Sequence, residues 1–185
     1  MKYVRPIPPH CVLILERLRY LELVVLSANN LKAEIFLKAH GRKLVELHIP
    51  YDNLRTATFK LLELGPSLHS LSLIGDSYTS NIPVVDALSS SREVPSLVKL
   101  ALDSVQIRTK YDKEKIAAWE KFFMHFEPKW LPNLREIKVA GCQWPQNERD
   151  IAKSFWVRWA EILLQHRISL TDKTGTKWRL RLKVK

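Results

Sequence analysis

Glycine is scarce in this chain of 185 residues: the five glycines, at positions 41, 65, 75, 141 and 175, are never closer than ten residues. A Walker A loop, a G-x-G-x-x-G fingerprint and a G-x-S-x-G elbow all need glycines closer together than that, because the backbone must cradle a phosphate or turn sharply. All three are excluded. Cysteine is scarcer still. Cys11 and Cys142 lie 131 positions apart and make neither a disulfide framework nor a zinc-ligand pair. The six histidines, His10, His40, His48, His69, His125 and His166, form no H-E-x-x-H motif. No metal and no cofactor are therefore expected. No apolar run approaches the roughly 20 residues of a membrane span, and there is neither an Asn-x-Ser/Thr acceptor nor a signal-peptide pattern at the start. The expected setting is reducing, cytoplasmic or nuclear, and away from the membrane.

Acidic residues are also in deficit, with 19 Asp plus Glu against 30 Lys plus Arg, for a net charge of +11. Residues 1–92 hold 11 basic and 8 acidic side chains, net +3, while 93–185 hold 19 and 11, net +8. Such an excess draws polyanions at long range, but it also serves simply to keep a chain soluble.

Leucine is what the chain has in abundance, and it is placed periodically. Leu-x-x-Leu-x-Leu recurs as Leu18/Leu21/Leu23, Leu44/Leu47/Ile49, Leu68/Leu71/Leu73, Leu97/Leu100/Leu102 and Leu134/Ile137/Val139. The starts are 26, 24, 29 and 37 residues apart, the spacing of leucine-rich repeats with an insertion of about ten residues before the last. Alternate leucines share one face only if the segment is extended, so each copy predicts a strand. Between copies, Ala33 to Ala39 and Leu54 to Leu64 have helical spacing and stop at Gly41 and at Gly65-Pro66. The ninth position of each copy, where a polar side chain or cysteine commonly bonds the neighbouring turn, holds Asp52, Asp76 and Cys142, but Leu26 and Val105 break the pattern. An ordinary α/β domain with parallel strands is the competing architecture.

Two longer segments interrupt or close the array. KEKIAAWEKFFMHF, about 113–126, predicts an inserted helix with Ile116, Trp119, Phe122, Phe123 and Phe126 on one face. Residues 147–165 predict a second, with Ile151, Phe155, Trp159, Ile162 and Leu163 inward and Glu148 and Asp150 near its positive end. After a turn at Thr174-Gly175, Trp178, Leu180, Leu182 and Val184 alternate with Lys177, Arg179, Arg181, Lys183 and Lys185, which predicts a final strand with one basic face.

The fold class is thus α/β: one domain over 1–185, a leucine-rich-repeat solenoid of about five irregular repeats (10–143) with concave parallel strands and outer helices. A helix-strand cap (144–185) closes it. The segments FLKAHGRKLVELHI (36–49), LLELGPSLHSLSL (61–73), VPSLVKLAL (94–102) and LPNLREIKV (131–139), with Trp156 or Trp159 and ISLTDKTG (168–175), support a resemblance. Over about residues 30–176 the chain resembles the leucine-rich-repeat region of F-box-like proteins of mushroom-forming fungi, with Gly65 where that family usually has Cys. The resemblance implies an interaction solenoid that recruits a target, in full-length relatives for a ubiquitin ligase. The opening MKYVRPIPPHCVLILERL is too short and too proline-rich for the three-helix F-box.

The function expected is a non-enzymatic protein-interaction scaffold, monomeric on its own. Its partner-binding positions are those that alternate with the leucines: Tyr20, Glu22, Glu46, His48, Lys99, Glu136 and Lys138, with Ser70, Ser72 and Ala101 between them. The alternative is a nucleic-acid or polyanion site on Lys177, Arg179, Arg181, Lys183 and Lys185, although charges there also guard an open sheet edge. Catalysis would require assembly from distant positions, such as Cys142 as nucleophile with a remote histidine, or paired carboxylates.

Overall fold

Each Leu-x-x-Leu-x-Leu copy carries two apolar side chains at alternate positions, which an extended backbone sends to one face. The computed structural model describes residues 20–21, 30–50, 60–74, 88, 93–103 and 113–179. In it these segments are the strands β1 (Tyr20–Leu21), β2 (Glu46–Pro50), β3 (Ser70–Ile74), β4 (Lys99–Asp103) and β5 (Glu136–Val139), joined by β6 (Ser169–Thr171). The six form one parallel sheet in simple chain order. The architecture is α/β, with helices α1 (Asn30–His40), α2 (Leu61–Leu64), α3 (Lys113–His125), α4 (Glu148–Ile151) and α5 (Phe155–Gln165) in the connections.

Register turns the sequence period into rows. Leu47, Leu71, Leu100, Ile137 and Leu170 lie side by side across five strands. Ile49, Leu73, Leu102 and Val139 form a second row. None of the nine is more than 2 % exposed. The leading residues Leu44, Leu68, Leu97 and Leu134 are buried to the same degree, in one core cluster with Leu37, Leu61 and Leu62 of the helices. Full burial of a leucine is worth about 1.5–3 kcal/mol, so each row holds neighbouring strands in a single register.

The turns entering the strands repeat as well. The Val45 carbonyl accepts from the His69 and Ser70 N–H groups, that of His69 from Val98 and Lys99, and that of Val98 from Arg135 and Glu136. The side chain just before each leading leucine bonds back to the preceding turn: Ser67 Oγ to the Arg42 carbonyl (2.8 Å), Ser96 Oγ to Pro66 (2.6 Å) and Asn133 Nδ2 to Pro95 (2.8 Å). The interval between strands changes, yet the same bond recurs, because it is anchored to the leucine rather than to the connection. Gly41 owes its place to a close approach: a Cβ there would lie 2.1 Å from the Leu64 carbonyl oxygen, a backbone atom that cannot step aside.

The inserted helix spans Lys113–His125 and buries Trp119, Phe122 and Phe123, with Phe126 just beyond it. These rings meet Trp156 and Trp159 of α5, the Phe123–Trp159 pair stacked at 5.0 Å and the Trp119–Trp156 pair edge-on at 5.5 Å. Arg158 lies over the Phe155 and Trp159 rings and pairs with Glu120, closing the helix contact on its wet side.

Several expectations need correction. Ile116, expected on the buried face of α3, is 37 % exposed because it lies a turn ahead of the aromatic block. The helix expected over 147–165 is two, broken at 152–154, where the Ser154 hydroxyl caps α5 by accepting from the Val157 N–H. That restart shifts the buried face to Trp156, Val157, Trp159, Ala160 and Leu163 and leaves Ile162 exposed. Ser169–Thr171 is the cap strand found among the described residues, and most of the strand expected at 177–185 lies outside them. Asp172 to Thr176 turn the chain back, and Lys177 makes a single antiparallel bridge to Thr171. Leu180, Leu182 and Val184 lie outside the described residues, as do Asp52, Asp76 and most of the helix expected over 54–64.

Leu100→Ala, in the middle of a leucine row, is expected to cost about 2–5 kcal/mol. Asn133→Ala, which removes one turn bond, should cost about 0.5–1.5 kcal/mol. Urea unfolding of both variants measures the difference, and similar losses would mean that the rows do not dominate stability.

Candidate functional site

The parallel ladder that sends leucines to one face sends every intervening residue to the other. One polar row reads Glu46, Ser70, Lys99, Glu136 and Ser169, with Tyr20 of β1 in register with Glu46. The next reads His48, Ser72, Ala101, Lys138 and Thr171. Neighbours in a row are about 4.8 Å apart, the strand spacing. Six of the seven expected partner-binding residues therefore occupy two adjacent lines on one face. The seventh, Glu22, lies outside the described residues.

The lines are not uniformly accessible. Lys99 is exposed, while Glu46, His48, Ser70, Ala101, Glu136 and Lys138 are half-buried. Ser72, expected to be exposed by alternation, is only 3 % exposed. Its short side chain, between His48 and Ala101 in the row, lies below the level that the larger residues reach. Ser169 and Thr171 were not among the sequence candidates. The alternation Ile168-Ser-Leu-Thr is visible in the sequence, but it is too short to read as a strand without its neighbour. Thr171 is fully buried and donates to Glu136 Oε1 at 3.1 Å.

Charges on this face differ in their partners. His48 Nε2 lies 2.7 Å from Glu46 Oε1, and Glu136 accepts the Thr171 hydroxyl. Lys99 and Lys138 form no ion pair within 4 Å among the described residues, although Lys99 stands in register with Glu136.

The C-terminal basic segment is only partly described. Lys177 and Arg179 are exposed on either side of half-buried Trp178, and Arg181, Lys183 and Lys185 lie outside the described residues. Lys177 Nζ donates to Ser169 Oγ at 3.3 Å, and Trp178 packs on Trp144, whose Nε1 donates to the Thr176 carbonyl. The bridge to Thr171 places this return along the outer edge of β6, so Lys177 and Arg179 border the sheet.

Burial pushes the Cys142 thiol well up, with the Asp172 carboxylate adding to the effect, which favours the protonated sulfur over the reactive thiolate. Among the described residues no three His, Cys, Asp or Glu side chains gather as metal ligands. No helix there is long and apolar enough to cross a membrane. An open cavity of about 390 Å³ lies between the 126–132 turn and the segment entering β6, lined in part by Glu127 and His166. The Glu127 carboxylate is taken up by Lys129 and by Trp130 Nε1. Compared with protein-family models, curated proteins and solved structures, the chain matches none.

The turn that seals β6 is held by one carboxylate. Partial burial pushes the Asp172 pKa upward, but hydrogen bonds from the Thr174 hydroxyl and from the Thr176 and Thr174 N–H groups outweigh it and hold the carboxyl below the usual range, with help from Lys173. A group depressed by folding stabilises fully above its unfolded pKa, about 4 for aspartate, and that contribution disappears as pH falls through the folded value. Asp172→Asn is therefore expected to lower stability at pH 7 and to flatten the acid side of the stability profile below about pH 4. Thermal melts from pH 2 to 7 test this, and parallel profiles for the two proteins would refute it.

Proposed function

We propose that the chain is a non-enzymatic interaction module of the leucine-rich-repeat kind, binding a protein partner on the polar face of its sheet. What carries this reading is the pair of polar rows, held in register directly opposite the leucine rows. A surface so built is rigid, extended across strands, and free to vary in sequence without disturbing the core. The recurring turn bonds of Ser67, Ser96 and Asn133 support the repeat interpretation, since each sits at the same offset from its leading leucine. The resemblance to the recognition region of fungal F-box-like proteins points the same way. A reducing compartment, cytoplasm or nucleus, suits the free buried thiol of Cys142.

The rival is a polyanion site on the C-terminal return, which the exposure of Lys177 and Arg179 favours. It separates cleanly from the first reading. Affinity purification with the wild type and with a His48/Lys99/Lys138 triple alanine variant should recover partner proteins with the first and lose them with the second, while circular dichroism stays unchanged. Equal recovery would move the site off this face. Retention on heparin near physiological salt that falls with Lys177→Ser and Arg179→Ser would favour the polyanion instead.

A further inference from the structure

The charges on the polar face are distributed in a way that selects a partner. Two of its carboxylates are engaged within the sheet, Glu46 by His48 and Glu136 by Thr171. Its two lysines have no ion-pair partner among the described residues. They also stand in a fixed relation, since Lys99 is in register with Glu136 and Lys138 with Ala101. They are therefore one strand across and two residues along from each other. With strands about 4.8 Å apart and a rise of about 3.3 Å per residue, the Cα separation is about 8 Å. Alternate side chains of an extended peptide project on the same side about 7 Å apart. Beside the lysines, Ser70 and Ala101 are short and half-buried and form a low floor on β3 and β4 that lets a peptide backbone approach.

Resting on the reading of this face as a protein-binding surface, we infer that its partner is an extended acidic segment. Two Asp or Glu residues at alternate positions pair with Lys99 and Lys138, and the segment's backbone lies over the Ser70/Ala101 floor. The same arrangement disfavours a nucleic acid here. A phosphate backbone carries charge at every residue, and following the rows it meets Glu46 and Glu136 as well as the lysines. A peptide with two spaced acids brings only two charges to the face, each set against a lysine. The net charge of +11 speeds the encounter with such an acidic partner without determining where it docks.

The test is a selection from a random peptide display library on the immobilised full chain, run in parallel on the wild type and on Lys99→Glu/Lys138→Glu. Wild type is expected to enrich peptides with Asp or Glu at alternate positions. The best of them, synthesised with a fluorophore, should bind the double charge reversal about tenfold or more weakly by anisotropy. Lys121→Glu/Lys153→Glu, with the same change in net charge on α3 and on the turn before α5, should bind as wild type does. If circular dichroism finds the reversal misfolded, Lys99→Gln/Lys138→Gln replaces it, with a smaller loss expected. Enriched peptides without the alternating acids, or equal binding by wild type and reversal, would overturn the inference. If the enriched peptides are basic or apolar and lose binding in the His48→Ala or Glu46→Lys variants, the face remains a protein-binding surface and the acidic partner alone is wrong. A labelled random-sequence RNA that binds more tightly than any peptide, and does so through the two lysines, would overturn both.

Discussion

A short strand with two leucines on one side cannot remove them from water by itself. In this protein β2 to β5 each have a strand on either side and share a core with the helices, and everything else depends on that shared burial. The leucine rows permit one register, because a slip of one strand by a single residue would turn its fully buried side chains into solvent. The connections are free to differ so long as they deliver the next leading leucine to the same place. That freedom is used: the step from β4 to β5 contains α3 and its block of aromatic rings, while the steps on either side of β3 are shorter. The backbone bonds entering β3, β4 and β5 remain alike through this variation.

The polar face follows from the apolar one. Once register is set by the leucines, the residues between them have no choice of neighbour. Glu46, Ser70, Lys99, Glu136 and Ser169 come into line because Leu47, Leu71, Leu100, Ile137 and Leu170 do. A surface made this way is positioned without contributing much to the energy that positions it, so its side chains can be chosen for a partner. The edge at β6 is managed differently. There Asp172, Thr174 and Thr176 build a tight turn, and Trp178 against Trp144 draws the returning chain along the last strand, with Lys177 facing solvent. The charges that would serve a polyanion also discourage another sheet from adding on.

Much of this was legible in the residues. Leucine spacing indicated four of the five strands that carry the rows and the side on which each candidate residue falls, and the aromatic spacing indicated α3. Three things were not legible, each for a physical reason. The break before α5 depends on Ser154 as a cap, and a serine within an apolar periodic run reads equally well as an exposed helix position until its hydroxyl has a partner. Strand β6 has three residues and one inward leucine, too little for a periodic signal, and it exists because β5 offers it an edge. The burial of Ser72 depends on the height of its neighbours across strands, which no single strand encodes.

The sequence by itself determined the periodicity, the α/β character of the chain, the absence of glycine-rich phosphate-loop motifs, and the excess of positive charge. These are properties of spacing and composition, and they hold whichever strand pairs with which. Only the tertiary structure decided that Lys99 and Lys138 stand on adjacent strands with no ion-pair partner among the described residues, while Glu46 and Glu136 are engaged by His48 and Thr171. The same is true of the leucines that bring them there. Lys99 and Lys138 are separated along the chain by the whole of α3, and what places them about 8 Å apart is the register in which Leu100 meets Ile137.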